Sequence, residues 1–202
     1  MPVKNVDALL EYNDGSSTRY TERFDLHKVG AAGLRELLEQ GASSPVMGQL
    51  LEQLTTCEQE LRWLENGPGN GREMRGAFSH IFGRFFGRAY LESIGYTYLV
   101  PISRSIQPIT DTLGVARPYD GGDMADWVCS KSGYFKKIDD IAVAEAKGLR
   151  RNLNLNPGLN NGTLRKADQQ LRNTLVRRAD TDGYFENGKN VHAKCIAALI
   201  RW

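Results

Sequence analysis

The chain has 202 residues, of which 41% are hydrophobic and 25% charged, and its formal net charge is +2. This composition is ordinary for a globular protein and excludes a disordered or fibrous chain. No apolar run approaches the roughly 20 residues of a membrane helix, and the N-terminus lacks the apolar segment of a secretory signal. We therefore expect no membrane contact and a cytoplasmic location. Three widely spaced cysteines indicate neither a disulfide framework nor a zinc site.

The charge is unevenly distributed along the chain. Residues 147–202 contain 11 Lys and Arg against 4 Asp and Glu, whereas the rest of the chain contains 15 against 20. A basic C-terminal part is typical of a surface that binds a polyanion. A solvated helix surface explains it equally well, so charge alone leaves nucleic-acid binding open.

The first third of the chain predicts a hairpin followed by helices. Asp14-Gly15 between two extended runs is a turn signal, and residues 34–39 predict a short helix. Ser44-Pro45 starts a longer helix, since Ser caps well and Pro is tolerated at the first helical position. The apolar positions of this helix recur at steps of three and four; they are Val46, Leu50, Leu54, Cys57, Leu61 and Leu64.

A glycine-rich segment at residues 67–71 is the clearest internal boundary. We therefore predict a mostly helical N-terminal appendage at residues 1–66 and a separate core at residues 72–202. The core begins with a helix at about residues 73–93. Arg84 and Arg88 lie four residues apart on one face of this helix, where they are candidates for phosphate contact; a solvated face is the alternative.

The rest of the core alternates between strands and connecting segments. The predicted strands are at residues 96–102, 124–130, 138–148 and 191–200. A connector at 103–119 joins the first strand to the second, and a turn at 131–134 joins the second to the third. An Asn-rich loop at 152–162 and a basic helix at 163–179 join the third to the fourth. This order predicts an α/β fold with a central mixed sheet flanked by helices.

The stretch that contains Glu145 and Lys147 is ambiguous between helix and strand. Its alanines and both charged residues are good helix formers. Gly148, however, would end a helix that began at Asp140 after only two turns, and a hairpin turn lies upstream. A strand is therefore favoured, and in a strand Glu145 and Lys147 share one face. A second acid, Asp126, lies one hairpin upstream.

These residues resemble a known motif. Asp126 before two apolar residues, and the Glu145-Ala146-Lys147 triplet at the end of an apolar strand, resemble the active-site motif of the restriction-endonuclease-like nucleases, the PD-(D/E)xK superfamily. Residues 90–96 also resemble the helix end that leads into that family's core. The resemblance covers residues 72–202 and implies a restriction-endonuclease-like core.

The resemblance implies a metal-dependent nuclease that hydrolyses phosphodiester bonds. Asp126, Glu145 and the carbonyl oxygen of Ala146 would bind Mg²⁺, or Mn²⁺ in its place, since Mg²⁺ prefers oxygen ligands. Lys147 would orient the attacking water or stabilise the transition state. By analogy with the family, DNA rather than RNA is the expected substrate. Restriction, phage defence, repair or interbacterial toxicity are the expected roles, the last within a target cell's cytoplasm.

The helix that follows the motif is expected to contact the substrate. Gln169, or its neighbour Gln170, is expected to face the site. Phosphate is bound largely by Arg and Lys, and the candidates on this helix are Arg165, Lys166, Arg172, Arg177 and Arg178, in addition to Arg84 and Arg88.

One departure from the family concerns the first core helix, which often supplies a Glu to the site. The equivalent turn holds His80 and Arg84, and Glu73 is the acidic candidate nearby; Asp123 competes with Asp126. Two alternatives stay open. One is a catalytically inactive nucleic-acid-binding module of the same fold. The other is a helical protein-interaction domain whose N-terminal helices bind a second copy or a partner, with Glu145 on a helix.

Overall fold

The described residues form a mixed α/β fold. The structure is a computed structural model that describes residues 3–11, 17–38, 45–55, 59, 71–118, 122–149, 162–185 and 187–201. The glycine-rich boundary before Gly71 and most of the Asn-rich loop lie outside these residues. The predicted fold class is confirmed at the level of a mixed sheet with flanking helices. No described helix combines the length and apolar character needed to cross a membrane.

The strands form a six-stranded sheet of order β2-β1-β10-β7-β6-β3 and a four-stranded sheet of order β4-β5-β8-β9. In chain order the elements are β1 (Val3–Glu11), β2 (Ser17–Asp25), α1 (Leu26–Leu38), α2 (Pro45–Leu54), α3 (Arg72–Ser93), β3 (Tyr98–Pro101), β4 (Ile106–Pro108), β5 (Leu113–Ala116), β6 (Trp127–Ser130), a short 3-10 helix (Ile138–Asp140), β7 (Ile141–Leu149), α4 (Gly162–Arg172), β8 (Leu175–Arg178), β9 (Asn190–Val191) and β10 (Lys194–Arg201).

Strands β1 and β2 belong to the central sheet, which corrects the expected separation of the N-terminal appendage (residues 1–66) from the core; helices follow the hairpin as expected, in the form of α1 and α2. The predicted hairpin is present as β1 and β2, and β1 also pairs antiparallel with β10. Helix α1 packs against α3, and its buried Leu26 and Val29 belong to the same hydrophobic cluster as Phe86 of α3. Pairing with β1 satisfies the backbone groups of β10 that would otherwise form an open sheet edge.

Strand β7 lies inside the central sheet and confirms the prediction of a strand at Glu145. It pairs antiparallel with β6 and parallel with β10. Its alanines are buried in the cluster that contains the aromatic residues of α3, whereas Ile141 and Val143 are buried with Ala167 and Leu171 of α4. Burial on both faces therefore overrides the helix propensity of the alanines.

Helix α3 lies unusually close to β7 because two of its residues have no side chain. A Cβ atom added at Gly87 would lie 2.5 Å from the Cβ atom of Ala146, and one added at Gly83 would lie 2.6 Å from the backbone nitrogen of Gly148. Small residues on both elements thus let the helix backbone approach the strand. This approach brings Arg84, one residue beyond Gly83, to the end of β7.

We expect Gly87→Ala to destabilise the protein by about 1–3 kcal/mol, because the added methyl group overpacks the contact with Ala146. Gly76→Ala is the matched control in the same helix, since a Cβ atom there meets nothing within 4 Å. The control should stabilise the protein by about 0.5–1 kcal/mol through helix propensity. Urea unfolding measures both changes, and effects of the same sign would contradict the close approach of α3 to β7.

The second sheet lies where the sequence predicted a connector and the end of a helix. Strands β4 and β5 lie within the expected connector at residues 103–119, and β5 pairs with β8. The predicted basic helix at residues 163–179 ends at Arg172, so Arg177 and Arg178 lie on β8 instead. The buried Val176, which pairs with Val115, favours the strand because it fills the cluster beneath α4.

Candidate active site

Asp126 and Glu145 meet at one end of the hairpin formed by β6 and β7. Trp127 pairs with Ala144, so one further step along the antiparallel register sets Asp126 beside Glu145. Asp126 precedes the strand, and its Oδ2 atom accepts a hydrogen bond from the backbone N–H of Ala146 at 2.9 Å. The structure therefore brings together the three residues expected to bind metal: the Asp126 and Glu145 carboxylates lie side by side, and Ala146 contacts Asp126 through its N–H.

The loop before Asp126 is held by the end of α4. The N–H of Ala125 donates to Thr174 Oγ1 at 2.8 Å, and Gln170 Nε2 donates to the carbonyl of Met124 at 3.1 Å. Thr174 Oγ1 in turn donates to the Gln170 carbonyl at 2.9 Å. Gln170 therefore positions the loop that carries Asp126, whereas Gln169, the residue first expected to face the site, has an exposed side chain.

The Glu145 side chain is fully buried, with 1% of the residue exposed. Its carboxylate forms an ion pair with Lys147 and lies beside the backbone N–H of Asp126, which helps to lower its pKa; no further group among the described residues donates a hydrogen bond to either oxygen. Burial and then the neighbouring Asp126 carboxylate raise the pKa of Glu145 to about 8, against the opposing effect of Lys147. A buried carboxylate with so few partners is costly unless a further cation joins it.

Asp126 is also buried, and burial raises its pKa above the usual range of a carboxyl group. The guanidinium group of Arg84 and the N–H of Ala146 act in the opposite direction. Lys147 is partly exposed, with 21% of its side chain accessible. The site therefore consists of two buried acids whose ionised forms are stabilised by nearby positive charge. Lys147 pairs with one of them, Glu145, and is itself partly exposed to solvent.

A third acid, Glu36 of α1, lies next to this pair and was not predicted. Its Oε2 atom accepts hydrogen bonds from Trp127 Nε1 at 2.9 Å and Arg88 Nη1 at 3.0 Å, and its Oε1 atom accepts one from Arg84 Nε at 2.8 Å. Only 7% of its side chain is exposed. Glu73, the acid of the first core helix that the sequence offered as a further ligand, is instead exposed at the start of α3.

The two arginines of α3 have different environments. Arg84 bridges Asp126 and Glu36, and its guanidinium carbon lies 4.7 Å from the ring centroid of Trp127. Arg88 is buried and pairs with Glu36 and Glu92. The position of Arg88 does not support the expected phosphate contact, because its side chain is buried and paired with two acids inside the fold. Arg84 lies in the site itself.

The basic residues of α4 lie on the surface. Arg165 and Lys166 are exposed near the start of the helix. Arg172 is exposed near its end and pairs with Asp168 at 2.9 Å. None of the three contacts the buried acids, so they remain candidates for phosphate contacts away from the reacting group.

The fit to a metal ion rests on the adjacent Asp126 and on the Glu145 carboxylate, which is buried beside Lys147 and the backbone N–H of Asp126 and has no further donor among the described residues. Within the described ranges, no group of three or more His, Cys, Asp and Glu side chains is arranged to hold a metal ion. Two carboxylates and a backbone carbonyl are nevertheless sufficient for Mg²⁺, which keeps several of its waters. Asp126, Glu145 and Ala146 fit such an ion.

Comparison with known proteins gives no relative: no family model matches the chain, and no curated protein or solved structure matches it at a significant level.

Proposed function

We propose that the protein is a metal-dependent nuclease with a restriction-endonuclease-like core. The observation that carries the proposal is the buried Glu145 carboxylate, which lies beside Asp126 and pairs with Lys147 at the end of a two-stranded hairpin. The resemblance implies a mixed sheet with the motif on neighbouring strands, and the succession of α3, β3, β6, β7, α4 and β10 is in keeping with it.

Asp126, Glu145 and the carbonyl of Ala146 would hold Mg²⁺, with Mn²⁺ able to replace it. A bound ion of this kind lowers the pKa of a water molecule and offsets the charge that develops on the phosphate. The carboxylates supply the negative charge that this ion needs, and the rigid hairpin fixes their separation. The raised pKa values of both acids follow from burial without such an ion.

Lys147 holds the attacking water and donates a hydrogen bond to the phosphate oxygen on which charge develops. Its ammonium group already pairs with the buried Glu145 while part of its side chain is exposed, so it can contact both the site and an arriving substrate. The exposed Arg165 and Lys166 bind neighbouring phosphates. DNA is the proposed substrate, in restriction, phage defence, repair or interbacterial competition.

We expect the purified protein to cleave DNA with Mg²⁺ or Mn²⁺ and not with EDTA. Supercoiled plasmid, linear duplex, single-stranded DNA and RNA, incubated in parallel, identify the substrate. Lys147→Ala should lower the cleavage rate by about 100-fold or more, the usual cost of losing one transition-state donor. Lys194→Ala, an exposed lysine that begins β10 opposite Ala142, should leave the rate within about twofold, since it lies at the other end of β7.

Cleavage that survives Lys147→Ala would contradict the assignment of the site. DNA binding without any metal-dependent cleavage by the wild-type protein would favour the inactive binding module instead.

A further inference from the structure

Arg84 provides positive charge to two acids at once. Its Nη1 atom donates to Asp126 Oδ1, while its Nε and Nη2 atoms donate to Glu36 Oε1, the Nε contact being 2.8 Å long. Asp126 is a proposed metal ligand, whereas Glu36 is not. One guanidinium group therefore connects the metal-binding carboxylate to an acid outside the metal site.

The Glu36 side of this bridge is the more firmly fixed. Glu36 also accepts hydrogen bonds from Trp127 Nε1 and Arg88 Nη1. Arg88 is held in turn by Glu92, because its Nε atom donates a hydrogen bond to Glu92 Oε1 at 3.1 Å. Glu36 would thus keep its position if Arg84 moved, because other donors from α3 and β6 hold it.

The network also connects α3 to α1 at a second point. Glu92 accepts a hydrogen bond from Arg35 Nε at 3.0 Å, next to Glu36 on α1. Charges of alternating sign therefore run from the surface at Arg35 through Glu92, Arg88 and Glu36 to Arg84. Contacts between α1 and α3 therefore fix Glu36, the acid to which Arg84 is bonded.

A divalent ion bound by Asp126 competes with the guanidinium group for the same carboxylate. Two positive groups this close together repel each other at the effective dielectric of a partly buried site. Binding of the ion should therefore break the contact between Arg84 Nη1 and Asp126, while the two contacts with Glu36 can persist.

We propose that Arg84 is an exchangeable counter-ion. It neutralises Asp126 in the metal-free protein and, once a divalent ion takes that carboxylate, it stays anchored on Glu36 and turns its freed Nη1 atom to a phosphate oxygen of the DNA. Glu36 is the positioning residue that keeps Arg84 in place. This role rests on the proposed nuclease function, and it links ion binding to substrate binding in the same site.

Arg84→Gln should change two affinities in opposite directions. Calorimetry with Mn²⁺ should show binding about five- to tenfold tighter than in the wild type, because the competing cation is gone. Binding of a short DNA duplex in Mn²⁺ should be about five- to tenfold weaker, because a charged donor to phosphate is lost. A Lys147→Ala background suppresses cleavage during the DNA measurement, and in EDTA the substitution should have little effect on DNA binding.

Arg88→Gln is the matched control, since it removes the same charge from the same helix without touching Asp126. It should change the Mn²⁺ affinity by less than about twofold, because Arg88 pairs with Glu36 and Glu92 and with neither of the two proposed metal-binding carboxylates. Circular dichroism verifies that each variant is folded. Arg84→Lys is a second variant that keeps the charge but cannot bridge two acids, and it should shift both affinities in the same directions by smaller factors.

The positioning role of Glu36 has a test of its own. Removal of a negative charge by Glu36→Gln should strengthen DNA binding if charge alone matters. We expect the opposite, weaker binding in Mn²⁺, because Arg84 loses its anchor. In the Arg84→Gln background, Glu36→Gln should weaken DNA binding no further.

The outcomes separate the two levels of the proposal. A wild-type protein that binds no divalent ion would overturn the proposed function together with the role of Arg84. A wild-type protein that binds Mn²⁺ and cleaves DNA, with Arg84→Gln binding the ion no more tightly than Arg88→Gln, would overturn the role of Arg84 alone. Stronger DNA binding by Glu36→Gln would overturn the role of Glu36.

Discussion

Replacing Glu145 by Gln is expected to stabilise the metal-free protein by several kcal/mol at alkaline pH. Burial and the Asp126 carboxylate raise the pKa of Glu145 from 4.5 to about 8 in the folded protein. The folded state therefore binds more protons than the unfolded state between these values, and stability falls as the pH rises through this window. Each unit of pKa difference corresponds to about 1.4 kcal/mol.

The difference between the two proteins should thus depend on pH. Near pH 5 Glu145 is protonated in the folded state, so Glu145→Gln and the wild type should be similar in stability. The advantage of the variant should grow up to about pH 8 and then level off, since the folded-state pKa has been passed. The groups that modulate this titration are Asp126, Lys147 and Arg84, all of which remain in the variant.

Urea unfolding in EDTA across this pH range measures the effect. Asp168→Asn, which alters the exposed ion pair with Arg172, is the control and should change stability by less than about 0.5 kcal/mol throughout. Added Mn²⁺ should stabilise the wild type above pH 8, because an ion that binds the folded state stabilises it. It should leave Glu145→Gln nearly unchanged, because the variant lacks the Glu145 carboxylate that would bind the ion. A stability difference that does not vary with pH would contradict the burial of an ionisable group at this position.

Replacing Glu36 by Ala is expected to cost about 3 kcal/mol of stability, near the lower end for breaking a buried ion pair. The substitution removes the acceptor of Trp127 Nε1 and of both arginines. Arg84 would still pair with Asp126, and Arg88 would still pair with Glu92. The cost in stability is therefore smaller than if both arginines were left without an acidic partner. The indole N–H of Trp127, whose residue is fully buried, has no replacement acceptor among its described contacts.

Glu52→Ala is the control for this prediction. Glu52 pairs with His27 at 2.9 Å, and about a third of each side chain is exposed, at 34%. Exposed pairs of this kind contribute about 0–1 kcal/mol. Urea midpoints of the two variants, measured at one pH, should therefore differ clearly, and equal costs would show that the Glu36 network contributes little to the junction of α1 and α3.

The hairpin that carries Asp126 and Glu145 could be predicted because its signals are local. A turn between two apolar runs and the placement of Gly148 distinguish strand from helix within a few residues. Helix α3 follows in the same way from its length and periodicity. The residues of the motif lie close in sequence, so the predicted strand pairing was enough to bring them together.

Glu36 could not be predicted because its contacts are distant in sequence. It lies 91 residues before Trp127, on a helix whose own pattern indicates only a short amphipathic segment. Its role depends on α1 packing against α3, a contact between two helices that the sequence assigned to different parts of the chain. Strand β8 was hidden for another reason: Leu175 continues the helical periodicity of α4, and only pairing with β5 shows that the helix has ended.

The position of β10 between β1 and β7 has a consequence for the order of folding. The hairpin β1-β2 is made long before β10, yet among the described residues it joins the rest of the sheet through residues 199–201 of β10. Contacts between such distant segments are slow to form because a long loop must close first. The hairpin should therefore join the sheet only after β10 has been made, later than the packing of α1 against α3 that brings Glu36 to Arg84 and Arg88.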